Sequence, residues 1–164
     1  MMTKKTANIL IDLSPNKPLN LVISDFGLVR VAKTSEVSGQ RLTTAMGISY
    51  RYASPEAFNR LRSRIVPDAE EDKASDVYAF AIIAWELMER KVPWGRLKND
   101  EIQNLVCSNV RLEISPHFRN HDDKLWSIII KLVEACWAHK PHSRPKFRDI
   151  GDKLRPWYKL DRRR

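Results

Sequence analysis

The sequence predicts a mainly α-helical domain that opens with one β-hairpin. Three observations carry that expectation. Two short apolar runs, residues 8–12 and 19–24, flank the turn-forming string Ser14-Pro15-Asn16-Lys17-Pro18. Residues 73–90 are apolar almost all round, a pattern that only a helix buried on every side can carry. Further on, Leu125, Ile128, Ile129, Leu132, Val133 and Cys136 recur at three- and four-residue steps, which sets them on one face of a helix.

The elements follow in order. In the first turn proline fixes φ and Asn16 tolerates a bent backbone, so the two apolar runs read as paired strands. Residues 28–52 show no sustained period and are rich in Ser, Thr, Gly and Arg, which predicts a long loop. Pro55 suits the first turn of a short helix through Phe58. Within 73–90, Val77, Phe80, Ala81, Ile82, Ile83, Ala84, Trp85, Leu87 and Met88 point in all directions. Ser75 or Asp76 is the expected cap, and Val92-Pro93-Trp94-Gly95 ends the helix. Residues 99–110 read as an amphipathic helix capped by Asn99, and 122–139 as a stronger one stopped by Pro141. A last helix over 145–160 presents Phe147, Ile150, Leu154 and Trp157 to the core. No internal repeat or low-complexity tract interrupts the chain.

A chain of 164 residues usually forms one domain. Its hydrophobic fraction of 43% is ordinary for a globular protein and too high for a disordered one. The longest apolar run, 77–88, is about a dozen residues and contains Glu86, too short to span a bilayer. Met1-Met2-Thr3-Lys4-Lys5 leads into no signal-peptide core. The expected location is therefore cytoplasmic, with the nucleus as the other default. Cys107 and Cys136 have no paired spacing and read as reduced thiols in a packed interior. The net charge of +9 raises the question of nucleic acid. The basic residues are scattered, however. Only Arg60, Arg62, Arg64 and the terminal Arg162-Arg163-Arg164 cluster, and no recognition motif accompanies them. A solvated basic surface attractive to acidic partners, lipids or phosphates is expected, with no specific nucleic-acid partner.

The chemistry concentrates in Val22-Ile23-Ser24-Asp25-Phe26-Gly27, where an apolar strand delivers an aspartate into a turn permitted by glycine. A strand ending in an ordinary turn gives the same tripeptide. Asn8, upstream, tips the reading. Phosphoryl transfer needs a divalent metal between phosphates, and two oxygen donors from separate loops, Asp25 and Asn8, suit magnesium. Lys5-Thr6-Ala7-Asn8-Ile9-Leu10 resembles the end of a protein kinase catalytic loop. Tyr52-Ala53-Ser54-Pro55-Glu56 resembles the end of an activation segment, with Ser54 in place of alanine. Asp76 begins the central helix as the family's aspartate does. Cys136-Trp137, Pro141 and Ser143-Arg144-Pro145 resemble the tyrosine-kinase-like and tyrosine kinase groups. The chain is thus similar to the C-terminal lobe of a protein kinase domain of the tyrosine-kinase-like group, serine/threonine type, over residues 1–160, with 161–164 a basic tail.

That resemblance implies a set of roles. Asp25 is the principal metal ligand and Asn8 the second. Lys5 contacts phosphate and Leu10 forms the floor under the adenine, with Asp25 completing the nucleotide contacts. Ser49 takes the place of the threonine that seats serine or threonine substrates. Phe26, Gly27 and Asp76 are structural, and Glu56 pairs with Arg144. The catalytic aspartate should stand at Thr3, the family's arginine and histidine at Met2 and Met1. Threonine is no base near neutral pH. The glycine-rich loop, the strand lysine and its helix partner lie upstream of the catalytic loop in the family and are not in this sequence. Two readings follow: part of a longer kinase, or a short kinase-derived binding module. The resemblance implies ATP and Mg2+ as family cofactors that this chain alone is not expected to hold, phosphoryl transfer to protein as the ancestral activity, and an inert chain as given. The alternative is a non-catalytic, pseudokinase-like scaffold. Protein substrates or signalling partners are expected in either case.

Other residues point elsewhere. Cys136, His139 and His142 invite a zinc reading, but Pro141 breaks any shared helix face and a fourth ligand is not apparent. Trp94, Trp126 and Trp137 read as core or interface. Ser35, Ser38, Thr43 and Thr44 are candidate phosphorylation positions, with Met2 where an arginine receiver would be.

Overall fold

The structure, a computed structural model, describes residues 9–12, 20–23, 49–63 and 69–161. Strands β1 (Ile9–Asp12) and β2 (Asn20–Ile23) pair antiparallel, with Ile9 opposite Ile23 and Leu10 opposite Val22. This is the expected hairpin; Asn8, Leu19 and Ser24, at the ends of the expected runs, lie outside the described residues. Its turn, and most of the long loop expected over 28–52, lie outside the described residues.

Helix α1 (Pro55–Ser63) opens on its proline, as expected. Helix α2 (Ala69–Glu89) is the centre of the fold, in contact with α1 and with α5 (Lys124–Cys136). It begins before Lys73, so Ser75 and Asp76 stand inside it and cap nothing. Its first turn is acidic, with Glu70, Glu71 and Asp72 facing the positive end of the helix dipole. That turn has no apolar period, which hid it from pattern reading. Val77, Tyr78, Ala79, Ala81, Ile82, Ile83 and Trp85 are buried and Phe80 and Ala84 half-buried, so the all-round apolar helix holds for most of its length through Trp85. It fails at Leu87, which is 67% exposed.

The chain leaves α2 through Arg90 at φ 52°, then turns sharply through Trp94 at φ 63° and Gly95 at φ 55°. Left-handed backbone costs little for glycine and about 1–2 kcal/mol for other residues. A Cβ at Gly95 would meet nothing within 4 Å. Gly95→Ala is therefore expected to cost about 1 kcal/mol through conformation alone, read as a small fall in the urea midpoint.

Helix α3 (Asn99–Cys107) is capped by Lys98, not Asn99: Glu101 Oε2 accepts the Lys98 N–H at 2.7 Å, one half of a capping box. It stops short of the expected Val110 because Asn109 adopts φ 63°. A short helix α4 (Pro116–Arg119) follows, which no periodicity predicted. Helix α5 is narrower than the expected 122–139: Asp123 caps it by accepting the Leu125 N–H at 2.8 Å, and Trp137 closes it. A 3-10 turn at Pro141–Ser143 leads to α6 (Phe147–Asp161). Of its expected core face, Ile150 is buried and Leu154 and Trp157 half-buried. Phe147 is largely exposed, its ring edge-on to Phe80 at 5.9 Å.

Phe58, Tyr78, Ile82, Ile102, Ile114 and Val133 fill the centre. Trp94 and Trp137 join this core, and Trp126 packs on Phe118 at 4.6 Å. Both cysteines are free. Burial pushes the Cys136 thiol up to about 11, as suits a packing residue.

Candidate functional site

The best-built polar feature is the junction of α1, α2 and the segment entering α6. Arg144 Nη1 donates to Glu56 Oε1 at 2.6 Å and Nη2 to Glu56 Oε2 at 2.9 Å. The remaining donors are also used. Nε reaches the Ala138 carbonyl at 2.8 Å, Nη1 the Ala74 carbonyl at 2.9 Å and Nη2 the His139 carbonyl at 3.2 Å. A guanidinium has five N–H donors in a fixed fork, and every one is engaged here. The Arg144 side chain is 0% exposed and that of Glu56 11%. A charge so buried is tolerable only when paired and fully hydrogen-bonded.

Two serines extend the junction. Ser75 Oγ donates to Glu56 Oε1 at 2.7 Å and lies 2.9 Å from Ser54 Oγ. Burial alone would raise the Glu56 carboxyl. Arg144, through hydrogen bond and charge, with Ser75 and Ser54, outweighs burial and holds it below the ordinary value of 4.5. Ser75 was read from sequence as a cap and is instead a ligand of Glu56. A lone small polar residue just ahead of an apolar helix was the signal for it.

Tyr78 was missed as a site residue. Its ring lies between two guanidinium groups, with Arg144 Cζ at 5.1 Å from the centroid and Arg111 Cζ at 5.3 Å. Arg111 also donates to the carbonyls of Trp137 at 2.8 Å and Val110 at 2.8 Å, joining the ends of α3 and α5. The Tyr78 hydroxyl is buried without a hydrogen-bond partner, and burial pushes the phenol up to about 12. Removing an unpaired buried hydroxyl relieves a desolvation cost. Tyr78→Phe keeps the ring between its cations and is expected to leave the urea midpoint unchanged or raise it slightly. A marked fall would mean that the hydroxyl has a partner in solution.

The residues just before Ala53 are firmly seated. Ser49 precedes a 3-10 turn at Tyr50–Tyr52 and accepts the Tyr52 N–H at 2.9 Å. The Tyr52 hydroxyl donates to Glu86 Oε2 on α2 at 2.8 Å. The Arg51 guanidinium donates to the Pro93 carbonyl, and the Trp94 indole N–H returns a bond to the Arg51 carbonyl at 3.2 Å. Of the expected site residues, the structure thus brings Glu56 and Arg144 together and fixes Ser49 in a turn. Asp76 lies half-buried near the start of α2. Leu10 stands in β1 opposite Val22. Thr3, Lys5, Asn8, Asp25, Phe26 and Gly27 lie outside the described residues.

The model for the family of protein tyrosine and serine/threonine kinases matches residues 5–154. The chain belongs to this family, and its helices and hairpin are the C-terminal lobe of the protein kinase fold. Its resemblance is to the tyrosine-kinase-like group, serine/threonine type. It is 33% identical over 158 residues to serine/threonine-protein kinase CTR1 of Arabidopsis thaliana, covering 94% of this chain and 16% of that protein. With serine/threonine-protein kinase 12 of the same plant it shares 30% over 148 residues, 87% of this chain and 29% of the relative. With human receptor-interacting serine/threonine-protein kinase 4 it shares 32% over 148 residues, 90% of this chain and 16% of the relative. The chain therefore spans less than a third of the length of these relatives. Among the described residues, no helix is long and apolar enough to cross a membrane.

Proposed function

We propose that this chain supplies the substrate-side half of a kinase that moves the γ-phosphoryl group of magnesium-ATP to a serine or threonine hydroxyl of a protein. The observation that carries the reading is the buried fork of Arg144 on Glu56, which anchors the end of the activation segment to the helical core. Ser49 stands seven residues before Glu56, in the turn that would receive the acceptor.

The donor set fits magnesium. Asn8 and Asp25 offer hard amide and carboxylate oxygens. Asn8 immediately precedes Ile9 and Asp25 follows Ile23 by two residues, while Ile9 and Ile23 are register partners. Connectivity alone starts both ligands from the same end of the hairpin. Bound magnesium-ATP supplies the transferable phosphoryl group and neutralises its charge. Asn8 and Asp25 would hold the metal, Lys5 would steady phosphate, Leu10 would contact the base, and Ser49 would orient the acceptor hydroxyl. Thr3 cannot take the proton from that hydroxyl, which favours a second reading for the chain as given, a non-catalytic scaffold that offers the lobe surface to protein partners.

The experiment is a chimera that joins residues 5–164 to the upstream lobe and catalytic aspartate of a tyrosine-kinase-like relative. Phosphate incorporation on serine or threonine that Asp25→Ala abolishes is the expected outcome. A folded chimera that binds protein but transfers nothing would leave the scaffold in possession.

A further inference from the structure

Among the described residues, the turn beside Ser49 borders a segment with an excess of positive charge. Residues 90–98 contain four cations, Arg90, Lys91, Arg96 and Lys98, and no acid. Residues 49–53 add Arg51 and again no acid. All four of the first group are exposed. The two segments form one surface, because the Trp94 indole bonds the Arg51 carbonyl and the Arg51 guanidinium bonds Pro93.

Among the described residues, three carboxylates on α1 and α2 are engaged by neighbours. Glu56 belongs to Arg144, Glu86 takes the Tyr52 hydroxyl, and Glu89 takes the Ser115 N–H at 2.8 Å and the Lys91 ammonium at 3.3 Å. Asp100 and Glu101 remain in the first turn of α3, where Glu101 is held by the Lys98 N–H.

The backbone of the loop is also costly. Arg90 and Trp94 are both left-handed, a conformation that non-glycine residues hold only when the surroundings impose it. The buried Trp94 pins this loop to the Arg51 carbonyl, two residues after Ser49.

We infer that residues 90–98, pinned to the Ser49–Ala53 segment, form a cationic rim that docks an acidic peptide segment flanking the acceptor hydroxyl. Charge complementarity sets the occupant. Peptide is favoured over nucleic acid because the rim borders a seated turn and the indole of residues 90–98 is buried, where base stacking needs an open aromatic face. The inference rests on the kinase reading only in taking the Ser49 turn as the place of the acceptor.

The test needs no nucleotide. A fluorescein-labelled peptide with serine flanked by glutamates is titrated with the 164-residue chain, followed by anisotropy. Its counterpart with glutamines in place of the glutamates is the control. The acidic peptide is expected to bind about tenfold more tightly in low salt, and most of that advantage should vanish by about 200 mM salt. Arg96→Glu with Lys98→Glu should abolish the advantage, and the milder pair Arg96→Gln with Lys98→Gln should reduce it about threefold. Circular dichroism checks that each variant is folded. Equal binding of the two peptides, or a preference untouched by both pairs, overturns the inference. Tighter binding of an oligothymidylate of equal charge also overturns it and assigns the rim to nucleic acid. An acidic preference that survives alongside an inactive chimera would sink the catalytic reading and leave the docking rim standing.

Discussion

Arg144→Ala is expected to lower the unfolding free energy by about 3–5 kcal/mol, because it leaves the Glu56 carboxylate buried and unpaired. That is a large part of the whole margin of an ordinary domain, about 5–15 kcal/mol. Arg144→Lys should recover little of it, since an ammonium cannot reproduce a fork that reaches two carboxylate oxygens and three carbonyls. Urea unfolding gives the magnitude, and pH gives the sign. In the parent, Glu56 titrates below its ordinary 4.5 when folded, so the stability it contributes is present above that value. It is lost as pH falls through the lower folded value. In Arg144→Ala, burial is left as the main influence and pushes the carboxyl upward, so the variant should gain stability on mild acidification. A variant midpoint equal to the parent's, or a parallel pH response, would mean that the pair is solvated.

Phosphate incorporation by this chain is expected to lie at least two to four orders of magnitude below ordinary kinase turnover, which is about 1–100 s⁻¹. That range is what a positioned acid–base group alone is worth, the resemblance puts Thr3 where one is needed, and the elements expected to clamp the nucleotide are not in this sequence. The measurement is radiolabel transfer from magnesium-ATP to a generic protein substrate, with Asp25→Ala as the background. Turnover inside the ordinary range would show that another group takes the proton and would remove the argument for a scaffold.

Much of this architecture was legible in the chain. The central helix announced itself because an apolar residue at nearly every position has one physical solution, burial on all sides. The Glu56–Arg144 pair was readable because its two motifs sit at fixed places in a recognisable order. What escaped reading was set by tertiary context. The acidic first turn of α2 has no apolar period. The cap of α3 is a backbone N–H meeting Glu101, so the identity of Lys98 gave no clue. The conversion of Ser75 from cap to ligand depends on where Glu56, nineteen positions earlier in the sequence, arrives. The double stack on Tyr78 unites residues from three separate segments, which no local pattern encodes.

The burial of α2 also has a kinetic consequence. Amide protons from Val77 to Ile83 lie in a run where every side chain but that of half-buried Phe80 is buried. Local fraying cannot reach them, so their exchange with deuterium should wait for the whole lobe to open. Exchange there becomes a clock for global opening, while the amides near exposed Leu87 should report only the loosening of one helix end.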